Sequence, residues 1–144
     1  MTARLLMVAA GGFYIILREG NVVMVLVLDD SDTMRQVFVQ ILLEIGLKED
    51  EIQEAADGAT AISLLKSHTF SLCLLDIVMG GIDGIGVLKK VKEIQPEAKV
   101  IMCSSFGESG TVKDLIDMGI DDFVLKPYEP ARLKDTLSRH LGLA

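Results

Sequence analysis

From residue 22 onward the chain alternates short apolar runs, rich in β-branched side chains, with segments whose apolar residues recur every three or four positions. The runs VVMVLVL (22–28), EIQEA (51–55), FSLCLLD (70–76), KVIMCS (99–104) and DFVLK (122–126) predict strands. Between them Met34, Val37, Phe38, Ile41, Leu42 and Ile45 fall on one helical face. So do Val87, Leu88, Val91 and Ile94, and then Val112, Leu115 and Ile116. Five successive strand-helix units predict an α/β fold with a parallel sheet and crossover helices. Local punctuation agrees. Ser31 or Asp32, Asp57, Asp83 and Glu108 or Ser109 stand where helices should start, because their side chains can accept from the orphan N–H groups of a first turn. Gly46, Gly119 and Gly142 stand where helices should stop.

The segment 1–21 does not share this pattern and is expected to be an apolar extension preceding a domain over 22–144. Its apolar stretch, Leu5 to Leu17, is shorter than the ~20 residues of a membrane span and is broken by Gly11-Gly12. Arg4 before an apolar core is a feature of signal peptides, but no small-x-small cleavage site follows before the first strand, so export is not expected. RLLMVAA and FYIIL flank Gly11-Gly12, a dipeptide that a tight primed turn accepts, and this predicts a β-hairpin. Such a hairpin must add to an outer sheet edge, pack over a face or pair with another molecule, which makes a homodimer through the extension one expectation. Translation from Met24 would also yield a complete domain without the extension.

The 144 residues hold one domain with little room for a second, so no output domain is expected. Lys and Arg number 14 against 21 Asp and Glu, and the net charge of −7 opposes binding to a nucleic-acid backbone. Cys73 and Cys103 lie inside apolar runs and form no CxxC pair, which predicts buried free thiols in a reducing cytoplasm. His68 and His140 have no ligand spacing around them and are expected at the surface.

Parallel α/β sheets bind ligands beyond the carboxyl ends of their strands. There the sequence puts Asp29-Asp30 after the first strand, Asp76 at the end of the third, Ser104-Ser105 after the fourth and Lys126-Pro127 after the fifth. Taken singly each is ordinary: an Asp pair caps helices and Lys-Pro often leaves a strand. Together, three carboxylates, a hydroxyl and an ammonium suit one chemistry. The acids hold Mg²⁺, the cation and Lys126 offset a phosphoryl group, a serine hydroxyl contacts it, and one carboxylate is the nucleophile.

Over residues 24 to about 141 the chain resembles the CheY-like receiver domains of two-component response regulators. The resemblance rests on VLDDSDTMR, LLDIVMGGIDG, VIMCSSFG and DDFVLKPY, four separated motifs in register. It implies a flavodoxin-like (βα)5 fold with strand order 2-1-3-4-5. It also implies that Asp76 is the phosphoacceptor, that Asp29, Asp30 and Asp76 hold Mg²⁺ with the backbone carbonyl of Val78, and that Ser104 and Lys126 engage the phosphoryl group. Phe123 matches the aromatic switch position, and Lys126-Pro127 matches a peptide bond that is usually cis. The implied partners are a sensor histidine kinase or phosphotransfer protein upstream and a protein target downstream, bound through the 108–140 face in the cytoplasm. Stand-alone chemotaxis regulators are the most similar; phosphorelay intermediates use the same parts.

Two departures stand out. Met79 is followed by Gly80-Gly81 rather than proline, and Val78 and Phe106 occupy positions that are often polar. A Mg²⁺-dependent phosphatase with an aspartyl nucleophile is a weaker reading, because Val78 stands where an acid two residues past the nucleophile is wanted and no cap domain is evident. A flavin-binding module is weaker still, since Asp29-Asp30 would repel a phosphate after the first strand.

Overall fold

The computed structural model describes residues 4–10, 13–19, 23–77, 83–105 and 112–142. Two strands come first, β1 (Arg4–Ala10) and β2 (Phe13–Glu19). Five strand-helix units follow: β3 (Val25–Leu28) and α1 (Asp32–Glu44), β4 (Ile52–Ala55) and α2 (Gly58–Ser67), β5 (Leu72–Asp76) and α3 (Gly84–Ile94), β6 (Lys99–Ser105) and α4 (Val112–Asp117), β7 (Asp122–Lys126) and α5 (Pro130–His140). The last five strands form one parallel sheet in the order β4-β3-β5-β6-β7, which is 2-1-3-4-5 counted by unit.

Side chains of successive strand residues leave on opposite faces, and here both faces are covered. Val25, Val27, Leu72, Leu74 and Ile101 pack under Phe38, Ile41 and Leu42 of α1 and Leu133 and Leu137 of α5. Their neighbours Leu26, Leu28, Cys73, Leu75, Val100 and Met102 pack under α2, α3 and α4. That is why the strands read as unbroken apolar runs rather than as alternations. Both cysteines are free and buried, and burial pushes each thiol up to about 12.

Local capping follows the sequence. Ser31 Oγ accepts from the Met34 N–H at 3.3 Å, Asp57 Oδ1 from Thr60 at 2.7 Å and Asp83 Oδ1 from Gly86 at 2.9 Å. Each such cap satisfies one of the orphan donors of its helix's first turn. Gly46 and Gly119 take φ of 111° and 89°, left-handed values that stop the helix before them at little cost only for glycine. The expected start at Glu108 or Ser109 lies outside the described residues.

Strand starts differ from the pattern. β5 begins at Leu72 rather than 70 because the Phe70 N–H donates to the side chain of Gln95 at 2.7 Å instead of to a ladder. β3 begins at Val25 rather than 22, and β4 is preceded by a 3₁₀ turn over Glu49–Glu51. The surface placement expected for the histidines is also corrected. His68 is half-buried beside Ser67, and His140 lies in register with Leu133 and Leu137 on the inner side of α5, its Nε2 2.8 Å from Asp122 Oδ2. Burial alone would raise the Asp122 carboxyl. His140, the Phe123 N–H and Arg139 outweigh it and hold that carboxyl below its ordinary range.

β1 and β2 pair antiparallel from Arg4↔Glu19 to Ala10↔Phe13, as a hairpin requires, and Gly11-Gly12 lie outside the described residues. Among the described residues this pair is its own sheet and shares no ladder with either edge strand, β4 or β7. No described helix is long and apolar enough to cross a membrane.

Candidate functional site

Because the five strands are parallel, their carboxyl ends reach one edge of the sheet. β3 runs into Asp29, β5 ends on Asp76, β6 carries Ser104 and β7 ends on Lys126. Asp76 pairs with Cys103, while Ser105 pairs with Lys126, so the lysine stands two rungs beyond the aspartate on a strand that is not its neighbour. β5 and β7 are two interstrand spacings of about 4.8 Å apart, a gap suited to a long side chain. Lys126 spans it: its Nζ is 3.3 Å from Asp76 Oδ2 and 3.3 Å from Asp29 Oδ2.

Asp29 is 1% exposed and Asp76 3%. The backbone holds Asp29 firmly, its N–H donating to the Ala55 carbonyl at 3.2 Å and its Oδ1 accepting from the Ser31 N–H at 2.8 Å. Asp30 is exposed, and Ser104 is buried next to Cys103 in β6. Asp29, Asp30 and Asp76 each offer a carboxylate oxygen, and these oxygens lie within 4.8 Å of one another. Two such charges ~4 Å apart repel by about 4 kcal/mol at an effective dielectric of 20. One ammonium offsets only part of this. Burial works to lower the pKa of Lys126, but Asp29 and Asp76 prevail and the pKa is raised.

The donor set fits a small hard cation. Carboxylate oxygens are the ligands Mg²⁺ takes, and Asp29 Oδ2 is a buried oxygen that, among the described residues, faces the Lys126 ammonium at 3.3 Å. Asp29, Asp30 and Asp76 are the residues that would hold it. Val78, whose carbonyl was expected as a further ligand, lies outside the described residues, as do Gly80-Gly81 and Phe106. Phe123 is half-buried against the layer containing Met102 and Leu115, and the Lys126-Pro127 bond is cis.

Two residues of the site escaped the sequence pattern. The first is Gly84, which begins α3. A Cβ there would lie 1.8 Å from the Asp76 carbonyl oxygen and 2.7 Å from its carbon, so only glycine lets the helix start approach the end of β5 this closely. The second is Arg35, which donates to the Asp29 carbonyl at 2.6 Å. A cation one turn into a helix opposes the macrodipole, and that local anomaly is the signal that could have found it.

The family model described as the response regulator receiver domain matches residues 25–138. The chemotaxis protein CheY of Bacillus subtilis is 36% identical over 118 residues, which is 82% of this chain and 97% of that protein. CheY of Thermotoga maritima is 32% identical over 115 residues, 80% of this chain and 94% of that one. The crystal structure of the receiver domain of NtrX from Brucella abortus superposes with a TM-score of 0.73 at 30% identity, covering 83% of this chain and 99% of that one. Receiver domains bind Mg²⁺ in an acidic pocket, and the Asp29, Asp30 and Asp76 cluster is such a pocket in composition. With the fold, the strand order and the matched span in agreement, the chain belongs to the response regulator receiver family and is a CheY-like signalling switch of a two-component system.

Proposed function

We propose that Asp76 is the phosphoacceptor, receiving its phosphoryl group from a histidine kinase or phosphotransfer protein. The observation that carries this is that Asp76 is the last residue of β5 and faces the Lys126 ammonium at 3.3 Å, so that a phosphoryl group built on it meets that charge. An Asp76 oxygen attacks phosphorus, the P–N bond of the donor phosphohistidine breaks, and the imidazole takes up a proton as it leaves. Asp29, Asp30, Asp76 and the Val78 carbonyl would hold Mg²⁺, which would supply positive charge to offset the acids and the phosphoryl oxygens. Lys126 and the Ser104 hydroxyl then engage the product, and Phe123 follows Ser104 inward.

The new charge biases a two-state surface rather than the fold. That surface is the 108–140 face, where Ile116 is 59% and Leu125 48% exposed. Between β7 and α5 a groove of about 390 Å³, lined by Phe123, Leu125, Arg132 and Arg139 among others, adds room for a protein target. Relatives named as chemotaxis proteins favour a chemotaxis-like role in the cytoplasm. The receiver unit is taken as 22–144, with 1–21 as an extension that offers a second copy a strand edge.

Asp76→Asn keeps the side-chain shape and removes the nucleophile, so it is expected to abolish labelling by acetyl phosphate, read by intact mass. Labelling at the wild-type rate would assign the acceptor elsewhere. Removing residues 1–21 is expected to leave labelling intact and shift the molar mass seen in light scattering toward the monomer; equal masses would dismiss the dimer.

A further inference from the structure

We propose that Arg35 is a positioning residue of the metal site: its guanidinium grips the peptide group joining Asp29 to Asp30 and so determines where the Asp30 carboxylate points. This rests on the reading of Asp29, Asp30 and Asp76 as the Mg²⁺ ligands.

Arg35 lies one turn into α1 with its side chain 13% exposed, and its fork ties three elements together. Nη1 donates to the Asp29 carbonyl at 2.6 Å, Nη2 pairs with Asp32, and Nε donates to Glu54 Oε1 in β4 at 3.3 Å. A planar guanidinium fixes all three directions at once, which a single ammonium cannot do. The peptide unit is rigid, so holding its oxygen fixes the plane from which the Asp30 backbone departs. The other handles of Asp29 are already engaged by Ala55, Ser31 and Lys126. Asp30 is exposed, so what the protein fixes of its placement is the backbone position from which its side chain departs, and Arg35 holds that.

The charge of Arg35 is met on its own side by Asp32 and Glu54. Its effect on the site is therefore geometric. The alternative has the opposite sign: a cation acting only through its field would repel Mg²⁺, and its removal would tighten binding.

The test is a calorimetric Mg²⁺ titration of the full chain at fixed ionic strength, as wild type, Arg35→Gln, Arg35→Lys and Glu54→Gln. Urea unfolding in EDTA separates loss of fold from loss of the site. Both Arg35 variants are expected to weaken Mg²⁺ by about tenfold, the scale seen when a group that orients a metal ligand is lost. Glu54→Gln, which frees one anchor of the fork, is expected to weaken it by less. Should Arg35→Gln fail to fold, Arg35→Lys and Glu54→Gln carry the same ordering. Wild-type affinity in Arg35→Lys, or affinity in Arg35→Gln equal to or tighter than wild type, would overturn the positioning role. A wild type with no saturable Mg²⁺ binding would instead overturn the metal reading on which it rests.

Discussion

The two ends of the five-stranded sheet share one backbone geometry and are closed in opposite ways. At the amino end a neutral amide does the work: Gln95 donates to the carbonyls of Leu65 at 2.8 Å and His68 at 2.6 Å and accepts from the Phe70 N–H. Nearby, Asp121 Oδ2 accepts from the Val100 N–H at 2.8 Å. Donors and acceptors there are matched, and the result is a seal. At the carboxyl end Asp29, Asp30 and Asp76 converge, the Lys126 ammonium meets two of them, and repulsion is left over. The difference teaches that a parallel sheet can hold together at one end and keep unspent charge at the other, and the proposed chemistry uses the end with the imbalance.

Breaking the close approach at the reactive end is expected to have the largest effect on stability. Gly84→Ala places a methyl against the Asp76 carbonyl and should cost about 3 kcal/mol, although alanine is the better helix former. A urea midpoint equal to or above wild type would show that α3 moves aside freely. Breaking the seal comes next. Gln95→Ala strands one N–H and two carbonyls and should cost about 2 kcal/mol while leaving the rate of labelling by acetyl phosphate unchanged. A fall in that rate matching the loss of stability would mean that the two ends are not independent.

The smallest effect sharpens the comparison from the reactive side. Hydrolysis of an aspartyl phosphate needs a water in line behind phosphorus, and polar side chains at positions 78 and 106 could orient it. Val78 and Phe106 cannot. One orienting contact of about 1.4 kcal/mol in the transition state is a tenfold change in rate. The Val78→Asn, Phe106→Glu double variant should therefore lose its phosphoryl group about tenfold faster at saturating Mg²⁺. Equal decay would assign the lifetime to other groups.

What could be read in advance depended on how far apart the interacting residues are in the chain. Ser31, Asp57 and Asp83 were legible as caps because each closes a bond three residues ahead. DFVLK was legible to the residue, since Asp121 before it and Pro127 after it confine the strand. The site residues could be gathered because parallel strands must bring their ends to one edge, whatever their spacing in sequence. The start of β5 could not be read, because the residue that takes the Phe70 N–H is 25 positions away. Arg35 was missed for the same reason: one of its partners is a main-chain oxygen and another lies 19 residues on, in β4. The half-buried His140 was misplaced because its partner, Asp122, becomes a neighbour only when α5 folds back on β7.

The burial of Cys73 and Cys103 has a practical side. With both thiols pushed up to about 12, almost no thiolate exists at neutral pH, and maleimides should pass over the native chain. The native chain should thus be silent toward thiol-directed labelling. A cysteine introduced at Ile116 or Leu125 would carry a fluorophore on the exposed face without any native thiol having to be removed, and the dye would report on that surface in real time.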